Sequence, residues 1–145
     1  MTRGNEWFME YQMLSNEEKE VYREFIFDTE ERATILDYER FKNTIELMAS
    51  KPDDLRTKYN EKLNVAEEVA LAFDNECVYV AHHLRSEKCI NEEIYNLVIQ
   101  IHKQLELLSN EHDKKNWTIQ AMNNDRRWIK ARTLANQVYK LLICT

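Results

Sequence analysis

The stretch NEEIYNLVIQIHKQLELL, residues 91–108, places Ile94, Leu97, Val98, Ile101, Leu105 and Leu108 at steps of three and four. That spacing lines one face of an α-helix, and no strand, with its period of two, reproduces it. Asn91 stands where an N-cap is needed, and Glu92 and Glu93 follow at the positive end of the helix dipole. One amphipathic helix with so regular a stripe needs other helices to cover it.

The residues before it supply them. From Leu63 the apolar positions run Ala66, Val69 or Ala70, Phe73, Cys77, Val80 and Leu84 without a breaker, which predicts a long helix over roughly 64–87. Lys51-Pro52-Asp53-Asp54 punctuates the chain, because proline disfavours helix in the residue before it and suits the first turn of a new one. Upstream, Tyr38, Phe41, Ile45 and Met48 form another stripe. Ser15-Asn16-Glu17-Glu18 reads as a capping box opening a helix that carries Val21, Tyr22, Phe25 and Ile26. Asp28-Thr29-Glu30-Glu31 resembles a second helix start, so two helices or one kinked helix precede Pro52.

On the other side, Ser109 to Lys115 is polar and reads as a loop. Trp117, Ala121, Trp128, Ala131, Ala135, Val138 and Leu142 then mark the seam of one final helix. The fold class expected is all-α: one antiparallel helical bundle over residues 1–145, with four long helices and one or two short ones. Residues 1–14 are a candidate flexible segment.

Composition agrees. The chain has one glycine, Gly4, and one proline, Pro52, among 145 residues, where average usage would give roughly ten glycines. Tight turns between strands need positive φ, which only Asn and Asp remain to supply, so a sheet-rich fold is not expected. Dinucleotide-binding and P-loop folds are excluded, since both need glycines where backbone approaches phosphate. At this length a hydrophobic core is stabilising enough without disulfides or a structural metal. Cys77, Cys89 and Cys144 are odd in number and lack C-x-x-C spacing, and Arg3, Glu6 and Glu10 interrupt any secretory leader. Reduced thiols in a cytoplasmic protein are expected. No apolar run approaches the roughly 18 residues of a membrane span.

Motifs that carry chemistry are scarce. His82, His83, His102 and His112 have no Glu three residues before them and form no H-x-x-x-H pair, so the ligand steps of di-iron bundles are missing. A Cys77, His82 and Cys89 cluster lacks zinc spacing. Glu17 and Glu20 make an E-x-x-E step and Glu67-Glu68 an acidic pair, yet no E-x-x-D step accompanies them to hold magnesium. There is no G-x-S-x-G elbow. No Arg is followed four to six residues later by His, as in small helical ribonucleases. No catalytic residue, metal ligand or cofactor is therefore assigned.

Charge is the remaining lead. The net charge of −6 divides into −10 over residues 1–100 (12 Lys+Arg, 22 Asp+Glu) and +4 over residues 101–145 (8 and 4). From Lys114 to Thr145 seven basic residues face a single acid, Asp125. If residues 117–142 form one helix, Arg126, Lys130 and Lys140 lie opposite its seam, and Ile119, Met122 and Ile129 fall on that basic side. Two apolar faces imply burial on two sides, by a sixth helix or the N-terminal Trp7, Phe8 and Tyr11 segment, by a partner protein or a second copy, or by nucleic acid. Met122, Arg126, Ile129 and Lys130 are the candidate partner-binding residues. The function expected is a non-enzymatic protein-binding module, such as a small regulator, inhibitor or immunity-type protein, engaging a protein partner or a second copy. The alternatives are a nucleic-acid-binding regulator using the last helix and a bundle holding a small molecule or metal.

Overall fold

The computed structural model describes residues 6–25, 30–59 and 63–143, and among them there are helices and no strand. α1 (Glu6–Gln12) and α2 (Asn16–Phe25) come first, then α3 (Glu30–Ala49) and the short α4 (Pro52–Leu55). α5 (Val65–Phe73) passes through a π-helical turn, Asp74–Val78, directly into α6 (Tyr79–Ser86). α7 (Glu92–Asn110), a 3₁₀ turn at Lys114–Asn116, α8 (Ile119–Asn124) and α9 (Arg126–Ile143) complete the described chain.

Helix starts follow local chemistry. The Ser15 hydroxyl accepts from Glu18 N and the Glu18 carboxylate accepts from Ser15 N, both at 3.1 Å, which is the reciprocal capping box. Pro52 occupies the first turn of α4. Asn64 and Asn91 side chains accept from the amides of Glu67 (3.1 Å) and Ile94 (2.9 Å). The expected second start at Asp28-Thr29 lies outside the described residues.

Four long rods, α3, α5–α6, α7 and α9, pack around one core. Thr34 meets His83 (3.1 Å) and the Cys77 thiol donates to Phe41 O (3.6 Å), so α3 runs antiparallel to α5–α6. Asp74 meets His102 and Arg85 meets Glu92, both at 3.5 Å, so α7 reverses again. Arg127 reaches Glu111 (2.9 Å), and Asn136 donates to Ala49 O (3.3 Å), which closes the square with α9 between α7 and α3. The topology is up-down-up-down, as short connections between antiparallel neighbours require. One cluster of buried side chains runs from Phe8 to Leu142, with Phe41, Ile45, Phe73, Val98, Ile101, Leu108 and Val138 fully enclosed.

α1 covers one end of the bundle. Phe8 and Tyr11 are buried; the Phe8 ring stands edge-on to Tyr38 at 4.7 Å, Gln12 donates to the Tyr38 hydroxyl (3.2 Å) and Tyr11 donates to Glu39 (3.1 Å). Within the candidate flexible segment 1–14, Phe8 and Tyr11 of α1 are thus packed against the bundle. They cover the end where Ile90 and Leu142 meet, not Ile119, Met122 or Ile129.

The structure alters the reading of residues 64–87 in one respect. The buried stripe is Ala66, Val69, Phe73, Cys77, Ala81 and Leu84, with Ala81 in the place expected of Val80. Three successive steps of four would rotate a regular helix by about 120°, and the one extra residue held by the wider π turn absorbs most of that rotation. One residue is therefore surplus to the α-helical repeat. Deleting the exposed Asn75 should leave a regular helix with the same core stripe, and a Tm within a few degrees of the parent by circular dichroism checks this.

Left-handed backbone, expected only of Asn or Asp, occurs at Lys88 (φ 60°) and His112 (φ 52°). Lys88 closes α6 in a Schellman motif, with Cys89 N bonding to Leu84 O (2.8 Å) and Lys88 N to Arg85 O (3.0 Å). A Cβ is strained in that region, so Lys88→Gly should raise stability by about 0.5 kcal/mol or more in urea titration.

Candidate partner-binding surface

The final helix expected over residues 117–142 is two helices meeting at Asp125, whose backbone is extended (φ −75°, ψ 131°). Asp125 is the N-cap of α9: its Oδ1 accepts from Arg127 N at 2.8 Å. The Arg127 side chain folds back onto it, with Nε to Oδ1 at 3.0 Å and Nη2 to Oδ2 at 2.9 Å, and also reaches both oxygens of Glu111. Arg132 donates to Met122 O (2.9 Å) and so satisfies a carbonyl at the end of α8. The signal in the sequence was Asn123-Asn124-Asp125, three residues that prefer caps and turns to helix interiors.

The break resets the helical phase, and this corrects the reading of Met122. Met122 is buried (3% exposed) in the core shared with Trp128 and Leu108, so it is no partner contact. Ile119 is partly buried against the same core. The second apolar face of a single long helix therefore does not exist. Arg126, Ile129 and Lys130 are exposed on α9, Ile129 at 39%. Among the described residues neither Arg126 nor Lys130 forms an ion pair, because Arg127 takes both neighbouring carboxylates.

Trp128 anchors the opposite face. It is 1% exposed, its ring stands perpendicular to Trp117 at 5.9 Å, and its Nε1–H donates to Asn116 O at 2.8 Å. Buried Asn116 in turn donates to Leu108 O (3.1 Å) and to Glu111 (2.8 Å), so the turn after α7 is pinned to both α7 and α9.

This clamp has an acid signature. Hydrogen bonds from the Arg127 side chain hold the Asp125 carboxyl below its ordinary 3.8. Those from Arg127 and then Asn116 hold Glu111 below 4.5. Depressed carboxylates contribute stability that is present above their unfolded-state values and lost as pH falls through the lowered ones. Arg127→Met should therefore lower Tm at pH 7, and the gap between variant and parent should narrow from about pH 4.5 downward. A gap independent of pH would contradict the clamp.

Elsewhere, burial and then Glu76 push the Cys77 thiol well up, and burial and then Glu87 push Cys89 up to about 12. Neither thiol is a ready nucleophile at neutral pH. Cys144 lies outside the described residues. His82 contacts Arg85 (3.2 Å) and His83 contacts Thr34 (3.1 Å), so the two adjacent imidazoles have different partners and do not converge. Among the described residues no group of three His, Cys, Asp or Glu side chains is placed to hold a metal, and no helix is long and apolar enough to cross a membrane. A cavity of about 570 Å³ beneath α1 is lined by Phe8, Tyr38, Cys89, Ile90 and Ile94, with Arg85 and Lys88 also on its walls. A cleft of about 440 Å³ at the far end lies between Tyr59, Leu63, Val65, Trp117 and Ile119. Neither gathers a set of groups with an evident reaction. The chain matches no family model, no curated protein and no solved structure.

Proposed function

We propose that this protein is a non-enzymatic protein-binding module, a small regulator, inhibitor or immunity-type protein that acts by occluding a partner's surface. What supports the reading is the strip Arg126, Ile129 and Lys130, an exposed apolar side chain between two cations that have no acidic partner among the described residues. It sits on a helix held rigidly from below by Trp128. Such a strip suits recognition: the cations steer an acidic partner into register and the isoleucine supplies a desolvated centre.

The test is co-purification of the tagged full chain from its native cell, beside the Ile129→Glu variant. A protein retained by the parent and lost by the variant supports the reading. A chain that retains nothing and turns over a metabolite refutes it. A bound species removed by nuclease and weakened steeply by salt would place nucleic acid in the partner's position instead.

A further inference from the structure

A second strip lies on α5–α6. Leu71 is 56% exposed and Tyr79 83% exposed, two large side chains on the outer face of a rod whose other face is core. The π turn decides their relation. Eight residues along a regular helix would set them about 80° apart, but one surplus residue in the turn brings them within about 20°, roughly 11 Å apart along the axis. Exposed Asn75 lies between them and exposed His82 beyond. The strip is thus one line of side chains, Leu71, Asn75 and Tyr79, rather than two isolated residues.

Its setting is acidic. From Leu63 to Leu84 there is no Lys or Arg, while Glu67, Glu68, Asp74 and Glu76 lie on the same rod. Glu67, Glu68 and Asp74 are three or four residues from Leu71, and Glu76 is three from Tyr79, so they neighbour the strip on the helix surface. The first base after them, Arg85, is engaged with Glu92 and lies over the Tyr95 ring at 3.8 Å. An apolar and aromatic line rimmed by carboxylates is complementary to a cationic surface with an apolar centre.

We infer that Leu71, Asn75 and Tyr79 on α5–α6 are a docking strip for a basic amphipathic helix of a partner protein. The inference rests on the reading of the chain as a protein-binding module and gives that module a second contact, of opposite sign to the α9 strip. Tyr79 is the anchor, since a tyrosine brings large rigid area and a hydroxyl at small entropic cost. The carboxylates set the charge of what docks and speed its arrival.

The probe is a synthetic helix of about 18 residues, long enough to hold helical structure, with leucines at steps of three and four and lysines elsewhere. Its counterpart carries glutamate for every lysine. Fluorescence anisotropy with the full chain should show binding of the lysine peptide that weakens with salt, and none of the glutamate peptide. Leu71→Glu and Tyr79→Ala should each weaken binding by about tenfold or more, with Tm unchanged because both residues are exposed. Met13→Ala, at an exposed residue (87%) outside α5–α6, should not. Absence of peptide binding, or binding indifferent to Leu71 and Tyr79, overturns the inference. So does sedimentation showing a dimer broken by Tyr79→Ala, which would put a second copy on the strip. If the peptide fails while a cellular partner is still lost on Ile129→Glu, the docking strip is refuted and the protein-binding module stands.

Discussion

Trp128→Ala should destabilise the protein by about 3 to 5 kcal/mol, a large part of the roughly 5 to 15 kcal/mol that holds a domain of this size folded. Three losses coincide. The indole is fully buried among Ala131, Ala135 and Leu108, and small neighbours cannot collapse into the space it leaves. Its edge-on contact with Trp117 disappears. The carbonyl of Asn116, to which it donates, loses its partner inside the protein. Trp128→Phe separates these terms, since it keeps most of the ring and removes only the donor; it should cost about 1 to 3 kcal/mol. Urea denaturation of the two variants checks both values. A loss below 1 kcal/mol for the alanine variant would mean that Trp128 is not part of the core.

Met122→Glu and Ile129→Glu should have opposite consequences, although helical periodicity alone puts the two residues on one face. Met122→Glu places a carboxylate in the interior, where it either remains charged without a partner or takes up a proton, and should cost at least about 3 kcal/mol. Ile129→Glu puts the same group on an exposed position and should change stability by less than about 0.5 kcal/mol. If the α9 strip binds a partner, Ile129→Glu should weaken that association on the order of a hundredfold, because the apolar centre then carries a charge. Tm and binding measured on both variants decide the matter. A folded, stable Met122→Glu would mean that α8 does not pack as described. An unfolded Ile129→Glu would remove the α9 strip as a surface.

The helices themselves were legible wherever one local feature was enough. The Ser15 capping box, Pro52 and the Asn91 cap set helix starts within a residue or two, because a cap is a bond between groups three residues apart. Scarcity of glycine argued against sheets, and steps of three and four in residues 94–108 specified the face that α7 buries. Trp128 was legible for the same reason, since Ala131 and Ala135 stand on its side of the helix and leave room for it.

The structure was needed where the helical period is interrupted. Asp125 ends one helix and caps the next, and Arg127, which also reaches Glu111 at the end of α7, holds its carboxylate in place; that break moved Met122 from the surface to the core. The π turn at Asp74–Val78 moved burial from Val80 to Ala81 and brought Leu71 and Tyr79 into one line. At the π turn a constant 100° per residue fails by about one residue's rotation, and at Asp125 an extended residue ends the repeat altogether; either is enough to exchange inside for outside. Which faces remain exposed is a property of how four rods close around a core. Local sequence dictates the rods; only their packing selects the strips of α9 and α5–α6 that are left for a partner.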